Sequence, residues 1–445
     1  SIFRNHLPIM GASGQSTGYE IDQSIRFNDD DTAYMSKSIS STSSRTTWTF
    51  STWFKVCNSG INLSFTGLFS AVNNASNFVN IALVNSSYGM DFLLYGSNST
   101  LGRLNTSRFF RDPSAWYHLV AVLDTTNDVA GERMRLYING ERETSFTTES
   151  YPSKDTTPIV NLSGVTHNLG RAYNAGTHSG YYYDGYMAEI HLLDGYAYGP
   201  EFFGEFKDDT DIWIPKEYTG SYGTNGFKID GRDSSDLGDD ESGQGNDYTT
   251  SGLVATDQRT DSPTNNHATW NGLLNRYPSY ANGNIEVTMT TSNKWAKTVM
   301  NFTLPNTGTW YWEGQEFDLE INPATAVGIV DSDVEVLIDK DLYNRFTTPM
   351  STFTGLTVYS GPGQSIDTYL FKNGSQTSTS ATPILSSSRL GFLWEPENNR
   401  FTIYDDGSQH TQFTSINAGN YVFGVQQATG GVTLNFRLFV EANDW

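Results

Sequence analysis

The chain has 445 residues, of which 37% are hydrophobic, 14% aromatic and 17% charged, with a formal net charge of −22. Such a length accommodates two large sandwich domains as readily as three average ones, and the aromatic share builds the core on Tyr, Phe and Trp while abundant Ser, Thr, Asn and Gly favour strands and turns over helices. The charge, with a pI near 4.6, excludes nucleic acid and anionic membrane surfaces as partners and leaves neutral glycans, proteins and metal cations.

Residues 1–20 hold Pro8, Gly11, Gly14 and Gly18 among polar residues and read as an irregular arm with apolar anchors at Ile2, Phe3, Leu7, Ile9 and Met10, suited to docking on another surface. The start at Ser1 reads as a host-cytoplasmic product that has lost its initiator Met. Ser1-Ile2-Phe3-Arg4-Asn5 lacks the apolar core of a secretory signal, so none is expected here, and no apolar run approaches the ~20 residues that span a bilayer. Strands are expected at 23–28, 48–56, 78–84, 91–95, 116–123, 133–138 and 186–193. The alternation Met134-Arg135-Leu136-Tyr137-Ile138 runs into Asn139-Gly140, a hairpin signal. Cys57 lies beside the second of these strands and, being the single cysteine, forms no intrachain disulfide.

Over 207–265 the alternation dissolves into Gly, Asp, Ser and Thr, with the acidic run Asp236-Leu237-Gly238-Asp239-Asp240-Glu241, and an extended connector is expected. Strands resume at 284–291, 309–318, 326–330, 354–358, 368–372, 390–394, 400–404, 421–425 and 432–440. Asn373-Gly374 and Asp405-Asp406-Gly407 supply turns between them. The expected architecture is all-β: two tandem jelly-roll, concanavalin-A-like sandwiches at 21–206 and 266–445, joined by the Gly/Asp-rich connector.

Four blocks of the first domain, in order, resemble the laminin-G/concanavalin-A-like lectin superfamily. They are Ile25-Arg26-Phe27-Asn28-Asp29-Asp30-Asp31, Trp48-Thr49-Phe50-Ser51-Thr52-Trp53-Phe54, the pair Trp116-Tyr117-His118-Leu119 with Leu136-Tyr137-Ile138-Asn139-Gly140, and Tyr183-Asp184-Gly185-Tyr186-Met187-Ala188-Glu189-Ile190. The second domain is similar to a SPRY sandwich through Thr309-Trp310-Tyr311-Trp312-Glu313, Ala326-Val327-Gly328-Ile329 and Leu434-Asn435-Phe436. The arm, the lectin-like domain and the segment from Trp213 to Asn266 together resemble virion proteins of marine bacteriophages. That resemblance implies a virion location, other virion proteins as partners and homo-oligomers.

Little in the sequence points to catalysis. The seven His residues form no His-x-x-x-His or His-Glu-x-x-His pair, and no nucleophile elbow or phosphate loop appears. Glu316, Asp318 and Glu320 alternate with apolar residues as on one solvated strand face. The lectin resemblance implies calcium in the turn at Asp29 and Asp31, with further oxygens from Asp124 and Asp128; a solvated turn is the competing reading. In 170–185, Tyr173, Tyr181, Tyr182 and Tyr183 stand among Gly, Asn, Thr and His. Flat rings beside hydrogen-bonding groups suit a sugar face, a contact between copies, or plain packing. The function expected is a non-enzymatic phage surface protein, a capsid- or tail-attached fibre or decoration component that assembles on the virion and adheres to host-surface polysaccharide. The rivals are a bacterial secreted or cell-surface lectin and a polysaccharide depolymerase.

Overall fold

The computed structural model describes residues 18–57, 65–84, 89–110, 112–174, 176–178, 181–207, 211–271, 278–290, 296–315, 324–331, 353–360, 366–380, 389–417, 419–427 and 433–439. The anchors Ile2, Phe3, Leu7, Ile9 and Met10 and the acids Glu316, Asp318 and Glu320 lie outside these described residues. Two compact units are present, the first ending at Asn266 and the second starting at His267. Both are all-β, and the helical pieces among the described residues are four single 3-10 turns.

The first unit runs, in chain order, through β1 (Ser24–Phe27), β2 (Tyr34–Ser38), β3 (Thr47–Val56), β4 (Thr66–Asn74), β5 (Asn77–Val84), β6 (Gly89–Gly96), β7 (Ser99–Thr106), β8 (Tyr117–Asp124) and β9 (Met134–Ile138). It continues with β10 (Glu141–Arg142), β11 (Phe146–Ser150), β12 (Thr166–Leu169), β13 (Gly185–Asp194), β14 (Gly204–Phe206), β15 (Trp213–Pro215), β16 (Phe227–Ile229), β17 (Thr249–Ser251) and β18 (Gln258–Arg259). One sheet has the order β10-β9-β8-β3-β13-β1-β18, with β16 also on β13; the other has the order β11-β7-β6-β5-β4-β12-β2-β17. Alternation explains how they stack. Along β3, Trp48, Phe50, Phe54 and Val56 face the core, where Trp48 meets Phe92 of the opposite sheet at 5.5 Å and Phe50 meets Phe69 at 5.0 Å. The other face of β3 carries Thr49, Ser51, Trp53 and Lys55, all buried too, so something must cover it.

That cover corrects the expectation of an extended connector at 207–265. The segment is sewn into both sheets: β16 pairs with β13, β17 with β2 and β18 with β1. Ahead of these, Trp213 packs with Trp53, Tyr186 and Ile21, while Tyr218 and Tyr222 pack with Val120, Val122 and Phe203, forming two apolar layers outside the first sheet. The acidic run is turn chemistry rather than a solvated tether. Asp240 accepts the backbone N–H of Lys228 on Oδ1 (2.9 Å) and that of Asn246 on Oδ2 (2.7 Å). Short polar side chains that bond the backbone locally can order a segment with no apolar period.

Two ion pairs fix the end of this segment. Asp257 Oδ1 accepts Arg26 Nε at 3.1 Å and Nη2 at 2.8 Å, and Asp261 Oδ2 accepts Lys55 Nζ at 2.8 Å. All four side chains are at least nine-tenths buried.

The second unit contains β19 (Pro278–Ala281), β20 (Glu286–Thr290), β21 (Ala296–Val299), β22 (Trp310–Gln315), β23 (Ala324–Asp331), β24 (Thr354–Ser360) and β25 (Ile366–Lys372). β26 (Ser375–Ser380), β27 (Leu390–Glu395), β28 (Arg400–Asp405), β29 (Ser408–Phe413), β30 (Tyr421–Gln427) and β31 (Thr433–Phe439) complete it. Its sheets are β19-β20-β31-β22-β27-β28-β29 and β21-β30-β23-β24-β25-β26. Trp312 of the first reaches Phe423 of the second at 5.1 Å, and Phe392 reaches the same ring at 4.6 Å, so an aromatic cluster holds the two layers together. Asn373 and Gly374 both take positive φ (48° and 78°), as a two-residue hairpin turn of this hand requires.

Candidate functional site

The tyrosine-rich loop before β13 folds back over the outer face of the second sheet. Asn80 of β5 holds it as a strand partner would, donating from Nδ2 to the Tyr173 carbonyl (2.7 Å) and accepting the Tyr173 N–H on Oδ1 (3.1 Å). Ser70 of β4 donates to the Arg171 carbonyl at 3.0 Å. These bonds place Arg171 over the Tyr34 ring, with the guanidinium carbon 3.4 Å from the centroid. Tyr182 lies on the same tyrosine at 6.2 Å. Arg171 is oriented from behind by Asn168, whose Oδ1 accepts Nε at 3.1 Å and Nη2 at 2.7 Å. Tyr34, Arg171 and Tyr182 are all partly exposed. The result is a preorganised flat surface with a cation and phenol groups at its rim, suited to an apolar ring face flanked by hydroxyls.

The four expected tyrosines divide. Tyr182 joins that surface, and Tyr181 sits next to it, half-buried with its ring on Phe65. Tyr173 is buried between Phe78 (5.5 Å) and His178 (4.9 Å). Tyr183 is corrected outright as a contact residue: it is 0% exposed, packs on Phe27 and donates its hydroxyl to the Lys55 carbonyl at 2.8 Å. Three tyrosines in a row entering a strand alternate between faces, so at least one must point inward.

The expected calcium set is also corrected. Phe27, two residues before Asp29, pairs with Gly185, which pairs with Val56 at one end of β3, whereas Asp124 pairs with Thr47 at the other end. Nine residue steps separate those ends by about 30 Å, so one ion cannot join Asp29 and Asp31 to Asp124 and Asp128. Three of the four acids have other work. Asp128 accepts Lys154 Nζ at 2.6 Å, Asp124 Oδ1 accepts the Thr126 hydroxyl at 2.6 Å, and Asp31 Oδ2 accepts Asn28 Nδ2 at 2.7 Å. Among the described residues no group of three or more His, Cys, Asp or Glu is placed to hold a metal ion. The register instead brings Asp184 beside the Asn28–Asp29 turn. Burial pushes its carboxyl well above the usual range, and the charges of Asp29 and Asp30 push it further.

A second polar array, absent from the sequence reading, lies on the outer face of the first sheet, where Tyr19, Ser51, His118, Glu189 and His191 line a shallow depression. Adjacent strands β8, β3 and β13 bring His118 and His191 together across 73 positions of sequence; the available signal is an imidazole or carboxylate interrupting an apolar strand. Glu189 sits at a register break in the β3–β13 pairing and takes φ = 47°, a left-handed conformation held only by strong surroundings. Here they are hydrogen bonds. Its Oε1 accepts Tyr19 (2.9 Å) and meets Lys228 Nζ (3.3 Å), and its Oε2 meets His191 Nε2 at 3.1 Å. Burial alone would raise the Glu189 carboxyl; the His191 hydrogen bond and the charges of His191 and Lys228 outweigh it and hold the group at about 2.

Ser51 and His118 have the composition of a nucleophile and its base, but the wrong tautomer. Trp213 Nε1 donates to His118 Nδ1 at 3.0 Å. An indole N–H can only donate, so Nδ1 is bare and the ring proton is on Nε2. That nitrogen therefore donates to Ser51 Oγ at 2.9 Å and cannot take the serine proton. Burial, with a smaller effect from His191, pulls the His118 imidazole down to about 3 and keeps it neutral.

Comparison with known proteins places the first unit. Residues 28–197 match a laminin-G family described as the concanavalin A-like lectin/glucanases superfamily. The first unit carries a lectin-like domain of this fold. Solved structures similar to the chain include the native heptameric SAP-like pentraxin of Limulus polyphemus, at 14% identity over 41% of this chain and 80% of that one, with a TM-score of 0.29. The TRIM65 PSpry domain shows 13% identity over 39% and 91% of the two chains, with a TM-score of 0.27. The SPRY domain of human HERC1 shows 13% identity over 34% and 86%, with a TM-score of 0.26. No curated protein matches the sequence.

Proposed function

We propose that the first unit is a non-catalytic carbohydrate-binding domain and that the chain serves as a surface component of a phage particle, touching host polysaccharide. The observation that carries the binding part is the Tyr34–Arg171–Tyr182 surface, oriented by Asn168 and standing partly exposed on a rigid sheet. The lectin superfamily match supports a sugar as the occupant, and the net charge of −22 favours a neutral one. Lack of catalysis is supported by the Ser51–His118 tautomer and by a Glu189 carboxylate engaged by His191, Tyr19 and Lys228. The virion part rests on the sequence resemblance. It fits a shallow surface, because many weakly binding copies on one particle raise the effective concentration of sites.

The test is binding of the purified chain to a panel of neutral and acidic bacterial polysaccharides, with Tyr182→Ala alongside and reducing ends assayed in the same samples. Retention of a neutral glycan, lost in the variant and without new reducing ends, supports the binding reading. New reducing ends would identify a depolymerase. Mass spectrometry and antibody labelling of purified phage particles test the location, and an exported, cell-attached protein would identify a bacterial lectin instead.

A further inference from the structure

The end of the covering segment brings three side chains together on the outer face of the first sheet, Lys55 and Asp261 buried and Asn266 partly so. Lys55 of β3 is 0% exposed. Its Nζ lies 2.8 Å from Asp261 Oδ2 and 2.9 Å from Asn266 Oδ1. Asp261 is fixed from its other oxygen, Oδ1, by Trp116 Nε1 at 3.0 Å. Asn266 is oriented by its Nδ2, which donates to the Ser114 carbonyl at 2.7 Å. The Tyr186 ring, 5.8 Å from Nζ, helps to close the site.

A primary amine, a carboxamide and a carboxylate held this way are the reactants and the proton carrier for amide exchange. We propose that Lys55 and Asn266 are the site of a self-formed covalent cross-link, an amide between Nζ and the side-chain carbonyl carbon, with Asp261 carrying the proton. With a carbonyl bond of about 1.2 Å, Nζ is already within about 4 Å of that carbon, and holding the partners there replaces a bimolecular encounter. The proton passes from Nζ to Asp261 along their hydrogen bond, and the neutral amine attacks Cγ of Asn266. The N–C bond forms, Asp261 returns the proton to Nδ2, and the C–Nδ2 bond breaks. The second proton that Nζ sheds as the amide forms goes with the departing nitrogen, so ammonium leaves, the carboxylate is restored, and nothing is oxidised or reduced. Asn266 is the acceptor rather than Asp261 because a carboxylate is a poor electrophile, while a carboxamide needs only its leaving nitrogen protonated.

The experiment is intact-mass spectrometry of the full chain, followed by proteolysis and sequencing of the fragments. The expected chain is lighter than its sequence by one ammonia and yields a branched peptide joining residues 55 and 266. Asn266→Ala, which leaves the Lys55–Asp261 pair in place, has its full sequence mass, and so does Asp261→Asn. A wild-type mass equal to the sequence with separate peptides from both positions overturns the proposal, and this reading needs no variant to fold. Loss of one ammonia traced to an imide at another asparagine overturns it, as does loss of one water with a branch joining 55 and 261.

Discussion

Replacing Asp257 with Ala tests whether the 207–266 segment is structural. Asp257 answers Arg26 with two hydrogen bonds and closes the turn Ala255–Asp257 that it ends by accepting the Val254 N–H on Oδ2 at 2.8 Å. The Arg26 and Asp257 side chains are 6% and 8% exposed. Solvent therefore cannot replace the lost carboxylate, and removing one partner of a buried pair costs about 3–5 kcal/mol. A unit of this size then melts roughly 6–20 °C lower. Two units need not unfold together, so a single melting curve is insufficient. Hydrogen exchange resolved to β1, β17 and β18 reads the loss where it occurs, with scanning calorimetry alongside. Protection should fall first in β1 and β18, which pair through Ile25 and Gln258. A cost under about 1 kcal/mol, the range of an exposed pair, with unchanged exchange in β1 would refute the reasoning and return the segment to a tether.

Three further outcomes are expected. A fragment covering 18–206 should fail to give a cooperative transition in circular dichroism, whereas 18–266 should unfold cooperatively, because the shorter piece exposes Val120, Val122 and Trp53 on the outer face of the first sheet. Tyr183→Phe should lower stability by about 1 kcal/mol through loss of its bond to the Lys55 carbonyl and leave glycan binding unchanged, while Tyr182→Ala should weaken binding and leave the melting temperature within experimental error. Acid should destabilise the first unit through His118 and His167, both drawn by burial from 6.5 to about 3. The unfolded chain binds their protons first, so stability present above pH 6.5 falls by about 1.4 kcal/mol per pH unit per histidine as the pH drops toward 3. Glu189 adds to the loss between 4.5 and about 2. Asp91 and Asp184, whose carboxyls burial raises, oppose it. Urea titrations across this range should show a shallower slope for His118→Gln; an unchanged slope would remove His118 from the account.

Strands with one apolar face were legible: the alternation in Met134–Ile138 and the Asn139-Gly140 turn predict the observed hairpin, with φ of 49° and 81° at the turn. Strands such as Tyr34–Ser38 and Thr166–Leu169 were not, because their hydroxyl and amide side chains carry little apolar period. The 207–265 segment escaped for a related reason: its order comes from Asp and Asn side chains closing on the backbone, as Asp240 does. Of the candidate site, the tyrosine loop was visible as composition. Its use of Arg171 and Tyr34 was not, since that depends on Asn80, Ser70 and Asn168 holding the loop to three different strands.

The way the first sandwich finishes its perimeter limits how copies can associate. Its outermost strands are β10 and β18, of two residues each, β17, of three, and β11, of five. Very short rims deny an incoming chain a template for strand addition. The one longer rim, β11, is broken by a bulge between Phe146 and Thr148 and carries the exposed Glu149. A lattice built from this domain would therefore be a mosaic of discrete tiles meeting through side chains, with no hydrogen-bonded ribbon running from one tile to the next.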